Sequence, residues 1–147
     1  MNLDTKIPPP IVTIIILSII YLFDLNEYNL NTDIISIITL FIGLIFIISA
    51  VIQFINRKTT VNPTKPHKTS TLVITGTYKI TRNPMYLGML LIIISFALYK
   101  ASIISLILIP LFIFYINKFQ IEPEEFEMRK KFGKEYEDYC KKVDRWI

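Results

Sequence analysis

The 147 residues are 52% hydrophobic and 19% charged, with a mean hydropathy of +0.49 and a net charge of +4. A soluble domain of this length seldom carries so much apolar surface, so the composition argues for one compact membrane unit, with no Gly/Ser-rich linker to divide it. One histidine and one cysteine leave no Cys/His cluster for a structural metal and no disulfide framework. Basic residues that lie against a membrane argue against nucleic-acid binding.

Four apolar segments are candidate spans. Residues 11–23 follow Pro8-Pro9-Pro10, a run able to open a helix; no clearly basic stretch precedes it and no small-residue cleavage site follows, so it reads as a span rather than a cleaved leader. Residues 34–55 carry no charge over about 22 residues, or roughly 33 Å of helix against a hydrocarbon core of roughly 30 Å. Residues 84–99 give roughly 24 Å and need little tilt or a locally thinned bilayer. Residues 102–119 contain Pro110, a candidate kink.

The loops set orientation. Residues 24–33 hold Asp24, Glu27 and Asp33 and no base, whereas residues 56–84 hold Arg57, Lys58, Lys65, Lys68, Lys79 and Arg82 and no acid. The positive-inside rule puts the basic loop in the cytoplasm, and both termini with it. His67 falls in that loop as a lone, solvent-facing histidine. By the same topology Cys140 is a reduced bystander thiol.

Within the basic loop, Ser70-Thr71-Leu72-Val73-Ile74-Thr75 is β-favouring and ends at Gly76, which predicts an extended or tight irregular stretch whose amides a ligand can use. Asn83-Pro84 then reads as a helix start: Asn caps the early amides and Pro occupies the first helical position. Capping alone accounts for the pair. The same place offers free amides and the positive end of the helix dipole, with Arg82 adjacent, Lys79 just before and Tyr86 on the first turn, so a carboxylate or phosphate site is the second reading. Gly88 permits close packing.

Beyond the fourth segment, Glu124 and Glu125 open a charged tail. Acids at a helix start need no ligand to explain them, yet two carboxylates held at the rim of a membrane suit a cationic one. Met128, Phe132, Tyr136, Tyr139 and Val143 recur at helical intervals and predict one apolar face, lying on the membrane or on the bundle, with a break at Gly133. Trp146 and the tail tyrosines read as interface anchors. The predicted class is therefore all-α: an integral-membrane bundle of about four spans with a cytoplasmic amphipathic C-terminal helix.

The ordered set Gly76-Thr77-Tyr78, Arg82-Asn83-Pro84-Met85-Tyr86-Leu87-Gly88, then past one hairpin Glu124-Glu125, Met128, Phe132-Gly133, Tyr136, Tyr139 and Val143-Asp144-Arg145 resembles the isoprenylcysteine carboxyl methyltransferase family, whose relatives the phospholipid N-methyltransferases share the core. The likeness covers residues 70–147; residues 1–60, a helical hairpin, match only as membrane helices. It implies a transferase using S-adenosylmethionine at the cytoplasmic face. By position, Ser70, Thr71, Leu72, Val73 and Tyr78 match backbone and aromatic cofactor contacts, Asn83 and Tyr86 the central cofactor motif, Glu124 an acidic cofactor or active-site contact, and Lys118 a basic residue on the substrate side. Arg82, Pro84 and Glu125 complete the expected cofactor set. Many relatives carry His where this chain has Asn83, which excludes a titrating imidazole here, and eukaryotic members carry His at the Ser70 position.

The implied acceptor is a membrane lipid or a prenylated or other lipid-like molecule, entering sideways between helices, with its carboxylate or amine receiving the methyl group. A carboxylate acceptor is already ionised, whereas an ammonium must first lose a proton, a task for which Glu124 is the rim candidate. The rival readings are a membrane reductase of the related sterol reductase fold, a small four-helix transporter and an inactive scaffold.

Overall fold

In a computed structural model of the protein, which describes residues 7–23, 33–56 and 71–147, every regular element is helical. Ser70, His67, Asp24, Glu27 and the bases Arg57, Lys58, Lys65 and Lys68 lie outside the described residues. The first helix, α1 (Pro9–Phe23), opens within the triple-proline run, because a proline at the first helical positions gives up an amide that no carbonyl would have met. The second, α2 (Asp33–Asn56), spans 24 mostly apolar residues. A 3-10 turn (Gly76–Lys79) leads to α3 (Pro84–Tyr99). Then α4 (Ser105–Ile116), a π turn (Asn117–Ile121) and α5 (Glu122–Phe132) run on as one helix of 28 residues, and α6 (Lys134–Cys140) follows.

That continuity corrects the expectation of a separate tail helix. Nothing between Phe119 and Glu124 stops the fourth apolar helix. The π turn has a local cause: the Glu122 amide reaches back five residues to the Asn117 carbonyl, and Pro123 next to it supplies no amide at all, so the ladder shifts register there. Pro110 does not interrupt α4. The break at Gly133 is present: its φ of +51° is a conformation that favours glycine, and it separates α5 from α6.

Two helices, α2 and the one spanning Ser105–Phe132, are long and apolar enough to cross a bilayer; α1 and α3 are apolar but have 15 and 16 residues. α3 is central and packs on α2, α1 and α4, while α1 and α2 flank it with little contact to each other. Their directions alternate. Ser95 near the end of α3 donates to the Ser36 carbonyl near the start of α2 at 2.7 Å, and Lys100 beyond α3 sits 5.7 Å from the Tyr21 ring near the end of α1. The start of α1, the end of α2, the start of α3 and the charged continuation of α4 therefore meet at one end of the bundle. Ile16, Ile20, Ile93, Phe112 and Ile116 fill the interior. Isoleucines such as Ile34, Ile38, Ile45 and Ile107 stay exposed, a continuous apolar surface that water would penalise and acyl chains would not.

The α2–α3 crossing depends on two glycines. A Cβ on Gly88 would stand 2.6 Å from the Gly43 carbonyl oxygen, and one on Gly43 would stand 2.8 Å from the Gly88 oxygen. Gly88 is thus buried against α2, not turned toward lipid. Gly88→Ala is expected to push α2 off α3 and cost about 1–3 kcal/mol, read as a lower melting temperature in detergent. An unchanged melting temperature would show that the crossing has slack.

Candidate functional site

A cavity of about 300 Å³ opens where those four helix ends converge. Its walls come from every part of the chain: Pro8, Pro9 and Pro10 at the start of α1, Val51 and Phe54 at the end of α2, Thr71, Leu72 and Val73 in the lead-in, Tyr78 in the 3-10 turn, Met85, Tyr86 and Met89 on α3, and Glu124, Glu125, Met128, Tyr136 and Tyr139 in the tail. Arg82 and Asn83 stand at the corner between lead-in and α3.

Local sequence explains how these groups are presented. Gly76 has φ +59°, and the Gln53 side-chain amide occupies the space a Cβ would need. That amide donates to Thr77 Oγ1 at 3.2 Å and accepts from Thr75 Oγ1 at 3.2 Å, so the end of α2 grips the turn. Tyr78 is held from above and below: its ring meets Phe54 edge-on at 5.6 Å, and its carbonyl accepts from Tyr139 Oη at 2.6 Å. Pro84 is buried as the first residue of α3, behind the cavity wall rather than on it.

Asn83 behaves differently from the expected cap. It occupies the cap position, but its side chain makes no capping bond; Nδ2 donates instead to the Arg145 carbonyl at 2.8 Å. The Met85 and Tyr86 amides in the first turn of α3, which face no carbonyl within the helix, are therefore not covered by the Asn83 side chain.

The two carboxylates opening α5 have opposite surroundings. Glu125 is buried and meets Arg82 at 3.0 Å through Oε1 and Arg145 through both oxygens, at 3.1 and 2.9 Å, with Arg129 at 3.7 Å. Glu124, one residue earlier, has no cation partner among the described residues and accepts the Tyr86 hydroxyl at 2.5 Å. Burial therefore dominates Glu124 and raises its pKa to about 8; the Tyr86 bond pulls it down in part and the Glu125 charge pushes it further up. Glu124 lies past Ile121, where the apolar part of the helix has ended.

Residues 32–135, more than half of the chain, match the phospholipid methyltransferase family. The chain belongs to that family. An uncharacterized protein of Haemophilus influenzae is 41% identical over 63 residues, which is 43% of this chain and all of that protein. No solved structure matches. Membership in the phospholipid methyltransferase family makes this a membrane protein of a methyl-transferring lineage.

Of the residues the sequence nominates, Thr71, Leu72, Val73, Tyr78, Arg82, Asn83, Tyr86, Glu124 and Glu125 line one cavity. Lys118 does not join them: it sits on the exposed side of the π turn, 2.8 Å from Glu122, because the wider turn carries it away from the tail's inner face. Tyr136 and Tyr139 are buried cavity walls rather than interface anchors, and Trp146 donates to Asn117 Oδ1 at 3.1 Å and packs on the core. Sequence reasoning placed no function on Met85, Met89 or Arg145. Met89 read as an ordinary apolar helix position; Met85 and Arg145 sat in the recognised motif with no role assigned to them.

The pKa of Glu124 gives a sign. A carboxyl raised from 4.5 to about 8 on folding contributes stability that is full below the unfolded value and is lost as pH climbs through about 8. The ligand-free protein should therefore melt at falling temperatures from about pH 5 to pH 8.5, and Glu124→Gln should flatten that slope. The same slope in both proteins would place the titrating group elsewhere.

Proposed function

We propose that the protein is an S-adenosylmethionine-dependent methyltransferase of the cytoplasmic membrane face, with four spans and both termini cytoplasmic, acting on a lipid-borne acceptor. The single observation that supports this most is the meeting of the α3 start with the α5 start across one cavity, through Tyr86–Glu124 and Arg82–Glu125.

The groups present fit a zwitterionic sulfonium nucleotide. Arg82 Nε is buried with no partner among the described residues, and with the Met85 and Tyr86 amides it suits the methionyl carboxylate. Glu124 and the faces of Tyr78, Tyr86 and Tyr136 suit positive charge. Bound there, S-adenosylmethionine supplies an electrophilic methyl group. The chain's own part is alignment, which an in-line displacement needs more than it needs a metal or a covalent intermediate. Tyr86 orients the Glu124 carboxylate, and the buried aromatic walls exclude water. With a proton affinity near neutrality, Glu124 can also take a proton from an ammonium acceptor, while a carboxylate acceptor requires no base.

The acceptor side is the apolar half of the cavity, formed by Pro9, Pro10, Val51, Phe54, Met85 and Met89. α1 and α2 flank α3 without closing on each other, so an acyl or prenyl chain has a sideways path between them. Lys118 has no part in this reading.

Purified protein titrated with S-adenosylmethionine, S-adenosylhomocysteine and NADPH is expected to bind the first two and not the third. Tyr86→Phe is expected to weaken S-adenosylhomocysteine binding about fivefold, the equivalent of one ordinary hydrogen bond that orients Glu124. Val51→Trp is expected to keep that binding and lose methylation of lipid acceptors. NADPH binding would select a reductase, and no binding at all would select a transporter or scaffold.

A further inference from the structure

The end of the chain is tied into the site more tightly than a solvated tail requires. The Arg82 amide donates to the Asp144 carbonyl at 2.9 Å; Thr81 Oγ1 and Asn83 Nδ2 both donate to the Arg145 carbonyl, at 3.1 and 2.8 Å. Three successive residues of the lead-in to α3 thus rest on two successive residues of the tail. These bonds use the backbone of Asp144 and Arg145. The Arg145 side chain is left for something else, and it spans both oxygens of Glu125 in a planar fork. Arg82 reaches one of those oxygens and Arg129 approaches from the exposed side.

We propose that Arg145 is a positioning residue of the ligand site, fixing the Glu125 carboxylate and thereby setting the charge that Glu124 presents to a bound ligand. The inference rests on the reading of this cavity as a sulfonium-nucleotide site and goes beyond it by naming the group that tunes it.

The argument is electrostatic and geometric. Glu124 and Glu125 are adjacent, and two carboxylates in one desolvated site oppose each other's ionisation. Facing Glu124 are Tyr86 from α3, Tyr78 from the 3-10 turn and Glu125 on its own helix. Arg82 and Arg145 pair with Glu125 and offset its charge. The Arg145 fork also fixes the plane of that carboxylate, which a single-point contact does not. Without the fork, Glu125 carries a less compensated charge beside Glu124. Glu124 then holds its proton to higher pH, and a cationic ligand meets a neutral acid over more of the physiological range.

The test is S-adenosylmethionine affinity of the full-length protein in detergent with no acceptor present, measured by calorimetry from pH 5.5 to 8.5. In the unsubstituted protein, affinity rises with pH as Glu124 ionises. Arg145→Gln is expected to move that midpoint to higher pH by on the order of half a pH unit, and Arg145→Lys to bring it part of the way back. Lys141→Gln, which removes a tail charge paired with Asp138, is expected to leave it in place. Glu125→Gln is the second arm and keeps the test open if Arg145→Gln does not fold. It should move the midpoint to lower pH, and adding Arg145→Gln to it should move the midpoint no further.

If Arg145→Gln weakens binding equally at every pH, or if the Glu125→Gln and doubly substituted midpoints differ, Arg145 only holds the tail and the inference is overturned. If the unsubstituted protein binds no S-adenosylmethionine at any pH, it is the reading of the cavity that fails.

Discussion

A carboxylate taken out of water must be compensated, and in this protein one such group, Glu125, joins three separate stretches of chain. Arg82 comes from the lead-in to α3, Arg145 from the last residues, and Glu125 itself from the helix that continues the fourth apolar segment. A buried ion pair is weak evidence for stability in itself, because desolvation offsets much of the attraction. Its consequence is specificity of arrangement. Removing any one partner leaves a buried charge exposed to a low dielectric, so the helix start, the tail and α5 can come together in few other ways.

The cavity follows from that arrangement. Holding α5 against the start of α3 brings Glu124 to Tyr86 and swings Met128, Tyr136 and Tyr139 inward. The other wall is set independently, by the Gly43–Gly88 crossing that seats α2 and by Gln53, which fastens the 3-10 turn. One half of the cavity is therefore lined by paired polar groups, while the other is apolar, walled by the start of α1 and the end of α2. The adjacent glutamates differ because, among the described residues, only Glu125 pairs with cations. Glu125 has its charge taken up structurally, and Glu124 keeps a proton affinity near neutrality and a free face toward the cavity.

Much of this was readable along the chain where the cause is local. The apolar runs mark the helices, Pro8-Pro9-Pro10 and Pro84 mark two starts, and Gly133 marks the tail break. The motif around Asn83 and Tyr86 and the pair Glu124-Glu125 were legible as chemistry, and they do share a cavity. What the sequence hid are tertiary partners. Asn83 looks like a cap by type and position, yet its Nδ2 donates to a distant carbonyl and its side chain makes no bond to the helix amides. Lys118 looks like a substrate-side cation until the π turn rotates it outward to Glu122. The tail tyrosines have the spacing of an amphipathic surface helix, and only the closure of the tail shows that their inner face is a wall.

The most direct measurement of the central claim is a double-mutant cycle on Arg82 and Glu125, with Arg82→Met, Glu125→Gln and the pair together compared by denaturant unfolding in detergent. A coupling of about 1–3 kcal/mol, with the double substitution less damaging than the sum of the two, is the predicted result. Additive losses with no coupling would mean that the starts of α3 and α5 are not held together by this carboxylate, and the account of the site would not survive.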